Sequence, residues 1–180
     1  FAGGVMELVK ASTDEHWNIA SNFLAQTVER CNDKGLPLWT HQQVSVKALK
    51  SHYAIENLYL LKSEQHTIGC VFISFDFDDF WTDTDTKGTL FFHKFAIGNA
   101  FNSKGFGLQA LTAIRLLAEE RGCLWVRCDC HGDRERLRAF YESGGFEFVD
   151  RQEMLGFDVA RYQMLTRRLR QIPNAWCSAS

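Results

Sequence analysis

The sequence predicts a single domain of the α/β (α+β) class, in which a mixed sheet of six to seven strands is flanked by helices. Its 180 residues are 46% hydrophobic and 23% charged, which suits one domain with one core. Apolar segments of strand length alternate with segments of helical periodicity, and no repeat or linker divides them. We therefore expect one domain over residues 6–170, a tail at 171–180, and a cloning remnant at 1–5, ahead of Met6.

The first half of the domain should contain two helices and three strands. Ser12, Thr13 or Asp14 is a suitable N-cap for a long helix, and Gly35 ends it. The apolar face of that helix consists of Trp17, Ala20, Leu24, Val28 and Cys31. The other predicted elements are a strand at 7–11, a helix at 43–52, and a hairpin of strands at 58–61 and 67–77.

The second half is predicted to begin with a strand at 89–97, which is apolar nearly throughout and therefore central in the sheet. Ala110, Ala113, Ile114 and Leu117 recur at helical spacing in a helix over 105–121, which Gly122 ends. The remaining elements are a strand at 124–128, a helix at 133–143, and strands at 146–152 and 159–166. The strand, helix and strand over 90–128 should form a parallel crossover unit.

The charge balance favours no polyanionic partner. Twenty Lys and Arg stand against 22 Asp and Glu, so the net charge is −2 and gives no reason to expect nucleic acid or an anionic membrane. No apolar run approaches the roughly 18 to 20 residues that a membrane span needs, and no signal peptide is recognisable. We therefore expect a cytoplasmic protein.

The six cysteines do not form a disulfide or metal pattern. They are scattered through apolar segments, which favours reduced, buried thiols. The sequence Cys128-Asp129-Cys130-His131 resembles half of a zinc site, but no second Cys/His pair follows at a suitable interval. We therefore expect no structural metal.

The most informative segment is the loop that runs from Asn102 to Leu108, between the apolar strand and the next helix. Gly105 and Gly107 allow close backbone approach, and the helix N-terminus offers unpaired amides with partial positive charge, so the loop is suited to bind an anion. Glycines before a helix also serve tight turns. The loop matches neither the P-loop nor the dinucleotide fingerprint, because it has no Gly-Lys-Ser/Thr and Ala110 stands in place of a third glycine.

Together with its neighbours, this loop resembles the GNAT superfamily of acetyl-CoA-dependent N-acetyltransferases. The resemblance covers about residues 6–168. It rests on four segments in this order: the strand at 91–97, the loop and helix through Gly105-Phe106-Gly107-Leu108, the strand ending at 127–130, and Leu137-Arg138-Ala139-Phe140-Tyr141-Glu142-Ser143-Gly144-Gly145-Phe146. It implies a splayed pair of central strands that forms the cleft for acetyl-CoA, which is the implied cofactor.

The resemblance also implies where the cofactor lies. Backbone amides of the loop would hold the pyrophosphate, and these belong to Ser103, Lys104, Gly105, Phe106, Gly107 and Leu108. The strand would pair with the pantetheine arm at Phe95, Ala96 and Ile97, with residues 125–129 as the other wall. Two positions depart from the family pattern: Asn102 replaces the usual Gln or Arg, and Arg134 replaces an Asn that contacts the cofactor. Lys104 could supply the positive charge that Asn102 lacks.

Tyr141 occupies the position at which the family commonly has its general acid. Acyl transfer to an amine leaves a CoA thiolate, and a closely positioned phenol can donate a proton to it. The alternative is a core tyrosine with a satisfied hydroxyl.

The general base and the acceptor contacts are less defined. His93 has a suitable pKa, but alternation places it on the face of Phe91, Phe95 and Ile97, which favours a core histidine. Other candidates lie in the acidic segment after the hairpin, at Asp76, Asp78 and Asp79. The resemblance places that segment and the 36–40 loop around the acceptor, where Trp39 and Trp81 are the aromatic candidates; the alternative is a solvated loop.

The sequence therefore predicts an N-acetyltransferase that passes an acetyl group from acetyl-CoA directly to a primary amine of a small molecule through a tetrahedral intermediate. Cys128 and Cys130 are interpreted as packing residues rather than nucleophiles. Two alternatives stay open: acetylation of a protein N-terminus or lysine, and a non-catalytic sensor of acyl-CoA. The closing strands and Trp176 would allow a homodimer by edge pairing.

Overall fold

The computed structural model describes residues 6–167, and it confirms the predicted order of elements. The strands are β1 Glu7–Lys10, β2 Leu58–Ser63, β3 His66–Ser74, β4 Thr89–Ile97, β5 Trp125–His131, β6 Glu147–Met154 and β7 Phe157–Leu165. The helices are α1 Asp14–Asp33, α2 Val46–His52, α3 Phe106–Glu120 and α4 Glu135–Ser143. None of these helices is both long and apolar enough to cross a membrane. The predicted remnant at 1–5, the tail at 171–180 and Trp176 lie outside the described residues.

The strands form one mixed sheet in the order β1-β2-β3-β4-β5-β7-β6. All neighbours are antiparallel except β4 and β5, which are parallel as predicted. Those two strands pair only where Thr89–Phe91 faces Trp125–Arg127. Beyond these three residues the strands separate, so a cleft opens in the middle of the sheet and the predicted splay is confirmed.

Each face of the sheet has its own apolar layer. On one face α1 and the residues before β2 cover the sheet, and the buried side chains include Trp17, Ala20, Leu24, Val28, Leu49, Leu60 and Phe72. On the other face α3 and α4 cover it, and the buried side chains include Leu90, Phe92, Ala110, Leu111, Ile114, Val126 and Tyr141. Burial of apolar area on both faces stabilises the sheet and fixes the two helical layers.

Several boundaries differ from the prediction, and two of them lie near the cavity described below. Helix α2 begins at Val46 instead of 43, because Thr40 and Gln43 close a separate turn through reciprocal hydrogen bonds of 3.0 and 3.1 Å. Ser45 then caps the helix by accepting a 3.2 Å hydrogen bond from the amide of Ala48. Strand β3 ends at Ser74 instead of 77, so Asp76 and Phe77 belong to the following loop.

A bulge in β4 reverses the alternation of its side chains. Phe72 of β3 faces His93, whereas Cys70 faces Ala96, so β4 has one extra residue between these pairs. Lys94 lies in this bulge with a φ of 50°, in the left-handed region. The expectation that His93 shares a face with Phe95 and Ile97 is therefore wrong: those two pack on the α3 and α4 layer, and His93 points away from it.

The acidic loop between β3 and β4 is fixed by two arginines. Arg161 binds both carboxylate oxygens of Asp83, at 2.7 and 3.1 Å, and its guanidinium lies 4.6 Å from the ring centre of Trp81. Arg127 lies against the same ring at 5.4 Å. The hydrogen bond from Arg161 lowers the pKa of Asp83 to about 2. The loop is thus anchored to the sheet rather than simply solvated, and this fixes the position of Asp78.

Candidate active site

A cavity of about 1550 Å³ lies where β4 and β5 separate. Most residues predicted for the site line it: Trp39, Asp78, His93, Phe95, Ala96, Ile97, Asn102, Ser103, Gly105, Gly107, Leu108, Arg134 and Tyr141. Its lining does not include Asp76, Trp81, Lys104 or Phe106. The fold thus gathers residues of the glycine loop, β4, β5 and α4 around one space.

The loop before α3 presents free backbone amides. The first intrahelical hydrogen bond is the one that Gln109 donates to Gly105 O, at 3.3 Å. The amides of Phe106, Gly107 and Leu108 precede it and therefore have no partner within the helix. Gly105 has a φ of 81°, a conformation that favours glycine, and a Cβ there would meet nothing within 4 Å. Gly105 thus sets the path of the loop through its backbone.

Gly107 is required for close packing, whereas Gly105 is required for its backbone conformation. A Cβ on Gly107 would lie 3.0 Å from the ring of Phe140. That ring stacks on Phe95 of β4, with centroids 6.3 Å apart and planes 10° apart. The absence of a side chain at Gly107 therefore lets α4 pack closely on α3 and β4.

The second half of β4 offers an open backbone edge to the cleft. Beyond Phe91 the strand pairs with β3 but no longer with β5. Phe95, Ala96 and Ile97 lie on this stretch, so their backbone groups on the β5 side are free to pair with an extended ligand. This edge and the amides of the loop fit a ligand that has both amide groups and phosphates.

A polar cluster of three side chains also lines the cavity. Asp78, His93 and Asp129 each place one nitrogen or oxygen within 4.8 Å of the others. His93 Nε2 donates a hydrogen bond to Asp78 Oδ2, and the amide of Phe80 donates to Asp78 Oδ1 at 2.9 Å. Asp129 Oδ2 is buried and has no hydrogen-bond partner among residues 6–167. The cluster therefore has one oriented imidazole and one carboxylate oxygen without a partner.

The charges in this cluster shift the pKa values of His93 and Asp129. Burial lowers the pKa of His93, but the hydrogen bond and charge of Asp78, with the charge of Asp129, outweigh it and leave that pKa above its ordinary value. Burial raises the pKa of Asp129 to about 6, and Asp78 adds to the rise, whereas His93 and Lys94 oppose it. The cluster can thus exchange a proton near neutral pH.

Lys94 and Trp39 form a cation–π pair beside this cluster. The Lys94 ammonium lies 5.0 Å from the centre of the Trp39 ring. Burial lowers the pKa of Lys94, and the charge of Asp129 opposes that fall. Trp39 therefore fixes the Lys94 side chain at the wall of the cavity.

Tyr141 of α4 reaches the cavity from the other layer. Only 6% of its surface is exposed, and its ring packs against Phe92, Phe140, Phe146 and Tyr162. Within the described part of the chain its hydroxyl makes no hydrogen bond. Burial raises its pKa well above 10, and Cys128, Cys130 and Asp129 add to the rise. The phenol therefore keeps its proton throughout the neutral range and is free to donate it as a hydrogen bond.

Cys128 and Cys130 project into the same apolar layer as Tyr141. Burial raises the pKa of Cys130 to about 12 and that of Cys128 well above its ordinary value. Both side chains are thiols near neutral pH, and thiols are poor nucleophiles. The interpretation of these cysteines as packing residues agrees with this environment.

Arg134 precedes α4 and connects two loops at the cavity. It donates hydrogen bonds to Pro37 O at 2.6 Å and to Asp133 at 2.9 Å. Its Nε is buried and has no partner in the described residues. In this structure the guanidinium thus ties the start of α4 to the loop after α1.

Two predicted acceptor contacts lie away from the cavity. Trp81 is only 1% exposed and packs between Arg127 and Arg161. Asp76 is exposed in the loop after β3, where its carbonyl accepts a 3.0 Å hydrogen bond from Thr86. The acidic segment therefore reaches the cavity wall through residues 77–80. Trp81 instead anchors the loop to the two arginines of the sheet.

The sequence did not indicate Asp129 as a member of the polar cluster, nor Lys94 as its neighbour. Asp129 could have been noticed as a lone acidic residue within a buried strand, on the opposite face from Cys128 and Cys130. Lys94 had no comparable signal, because its placement depends on the bulge in β4.

Comparison with known proteins shows relatives for most of the domain. The sequence model of the Acetyltransferase (GNAT) family matches residues 17–146. The chain is 21% identical over 159 residues to the uncharacterized N-acetyltransferase YesJ of Bacillus subtilis, with 83% of each chain covered.

Solved structures have the same fold. A GNAT-family acetyltransferase from Listeria monocytogenes superposes with a TM-score of 0.71 at 17% identity, covering 89% of this chain and 94% of the other. AAC(6')-Ib in complex with paromomycin and acetyl-CoA gives a TM-score of 0.66 at 15% identity, with 98% of both chains covered. Taken with the family match over most of the domain, these findings show that the chain belongs to the GNAT family of acetyltransferases and is an acyltransferase.

Proposed function

We propose that the protein transfers the acetyl group of acetyl-CoA to a primary amine of a small molecule. The observation on which this rests is that the cluster of Asp78, His93 and Asp129 lines the same cavity as the open edge of β4 and the amides before α3. A site for an amine and a site for an acyl donor thus share one space. Solved structures of AAC(6')-Ib with coenzyme A, kanamycin or ribostamycin support such a pairing within this fold.

The donor half of the cavity is built from backbone. The amides of Phe106, Gly107 and Leu108, at the positive end of α3, would bind the pyrophosphate. Phe95, Ala96 and Ile97 would pair with the amides of the pantetheine arm along the open edge of β4. When bound, acetyl-CoA supplies a thioester carbonyl as the electrophile.

The acceptor half is built from side chains. Asp78 and Asp129 would attract the ammonium form of the acceptor and orient it. An aliphatic amine has a pKa of about 10.4, so it must lose a proton before it can attack. His93 would accept that proton at Nδ1, because its Nε2 donates to Asp78, and Asp78 would stabilise the resulting imidazolium through this hydrogen bond.

Tyr141 would act on the leaving thiolate. Its hydroxyl has no competing partner among the described residues and its high pKa keeps it protonated. Because that pKa exceeds the roughly 8.5 of a thiol, complete proton transfer is uphill, and the main contribution is a hydrogen bond to the developing charge. Direct attack by the amine, through a tetrahedral intermediate, needs no cysteine.

The burial of the cluster favours a small acceptor over a folded protein. The side chains of Asp78 and His93 are 2% and 25% exposed. Arg134, which lines the same cavity, is held in place by its hydrogen bond to Pro37 O. A slender amine can reach His93 past these groups more easily than a chain terminus with its flanking residues.

A panel assay tests the proposal. The purified protein is incubated with acetyl-CoA and with polyamines, aminoglycosides, amino acid derivatives, or peptides with a free N-terminus or lysine. Thiol release and the mass of the N-acetyl product are measured. We expect turnover with at least one small amine. Turnover with peptides alone would assign the function to protein acetylation, and acetyl-CoA binding without turnover on any amine would overturn the proposal.

A further inference from the structure

We propose that Asp78, His93 and Asp129 also form a binding site for a zinc ion, at the place where the acceptor's ammonium would lie. The three residues come from the loop after β3, from β4 and from β5, so their sequence positions give no ligand pattern. The site contains no Cys, whereas the sequence pattern typical of a structural zinc consists of paired Cys and His residues. The fold instead brings together one imidazole nitrogen and two carboxylates.

The geometry suits a small ion. One ligand atom from each residue lies within 4.8 Å of the other two. A tetrahedral zinc with bonds of about 2.0–2.1 Å holds neighbouring ligand atoms roughly 3.3 Å apart, so modest side-chain rotations form the site. The ion would replace the direct hydrogen bond from His93 to Asp78, and the proton on His93 Nε2 would leave to solvent.

The buried carboxylates of the cluster favour the binding of a cation. Asp129 Oδ2 is buried without a hydrogen-bond partner in the described chain, which is costly for a carboxylate. The amide of Phe80 holds the other oxygen of Asp78 at 2.9 Å, as outer contacts orient the ligands of known metal sites. The charges that oppose Asp129 most are those of His93 and Lys94, and the Lys94 ammonium is held over Trp39.

The donor set selects among metals. One imidazole and two carboxylates, with a position open to water, suit Zn²⁺. Mg²⁺ and Ca²⁺ require six or more oxygen ligands and do not favour an imidazole. The open position faces the cavity, so a bound ion would exclude the amine. Inhibition by zinc follows only if the proposed function is correct, whereas binding of zinc does not depend on it.

Calorimetric titration of the whole chain with ZnCl₂, without acetyl-CoA or amine, tests the proposal. We expect one site that Asp129→Asn weakens at least about tenfold and His93→Gln at least as much. Asp79→Asn is the matched control, because Asp79 is an exposed neighbour that also lines the cavity. It should bind zinc as the wild type does. Equal affinity in all four proteins, or no binding above that to Mg²⁺, would overturn the proposal.

The absorption spectrum of bound Co²⁺ distinguishes this site from adventitious binding to thiols. Co²⁺ bound by His93 and two carboxylates gives weak visible bands, whereas a cysteine ligand adds an intense thiolate charge-transfer band. A spectrum with that band, unchanged in Asp129→Asn, would assign the metal to cysteine and contradict the proposal. Zinc binding that survives a failed amine screen would leave the metal site intact and the proposed function overturned.

Discussion

The donor half and the acceptor half of the cavity are built in different ways. The donor half consists of backbone groups from one stretch of chain, β4 to the start of α3, so it depends on local conformation. The acceptor half consists of side chains at positions 78, 93 and 129, which only the tertiary fold brings together. A backbone site tolerates side-chain changes that leave the conformation intact, whereas a side-chain site is sensitive to each one. Mutations in the donor half should therefore weaken coenzyme A binding, and mutations in the acceptor half should lower turnover without changing that binding.

The largest effect is expected from Gly105→Val, which breaks the donor half alone. A β-branched residue strains a backbone with a φ of 81°, so the amides before α3 move. Loss of two charge-assisted hydrogen bonds of about 2.5 kcal/mol each should weaken coenzyme A binding roughly 4,000-fold by calorimetry. Gly122→Val is the matched control: it has a φ of 74° and equally open space at the other end of α3. Similar affinity in both variants would contradict a loop-based phosphate site.

The next effect is expected from His93→Gln, which breaks the acceptor half. Without a group to take the amine's proton, kcat/KM should fall roughly 1,000-fold while the affinity for acetyl-CoA stays unchanged. His52→Gln serves as the control, since His52 lines the cavity but is exposed and remote from the cluster's hydrogen bonds. Wild-type turnover in His93→Gln would remove the imidazole from the mechanism.

A smaller loss of turnover is expected from Tyr141→Phe. This variant tests the residue that is proposed to act on the leaving thiolate. Removing one hydrogen-bond donor to the thiolate should lower kcat roughly 100-fold with little change in KM. Tyr162→Phe is the comparison, because the Tyr162 hydroxyl is engaged by Arg138 and Glu142 at 3.0 and 2.9 Å. That variant should lose stability rather than turnover. Equal kcat values in the two variants would assign Tyr141 to packing.

The smallest effect is a shift in pH dependence on Asp78→Asn. Since His93 must be neutral to accept a proton, kcat/KM falls as pH drops through its pKa. Asp78 raises that pKa against the effect of burial, with Asp129 and Lys94 as the other charges nearby. Its removal should move the acid limb of the profile to lower pH. A profile that does not move would exclude His93 as the titrating base.

The halves also differed in how well the sequence predicted them. The donor loop was predictable because glycines between a buried strand and a helix have a local physical meaning. Gly105 and β4 fall where the pattern placed them. The two apolar layers were predictable for the same reason, since the periodicity of α1 and α3 defines their buried faces.

The acceptor half could not be predicted from local pattern. The bulge at Lys94 turned His93 away from the face that strict alternation gave it. Trp81 appeared as an aromatic of the acceptor site, but two arginines from β5 and β7 hold it beneath the loop. Asp129 gains its role only because β5 diverges from β4. Each of these placements results from contacts between segments distant in the chain.

The most direct test of the account is a calorimetric titration of the wild-type protein with acetyl-CoA, coenzyme A and ATP. The open edge of β4 can pair with a pantetheine arm, which ATP lacks, whereas phosphates alone would bind at the loop. We therefore predict tight binding of both coenzyme A species and much weaker binding of ATP. Absence of coenzyme A binding, or equal affinity for ATP, would contradict a donor half built from this loop and this strand.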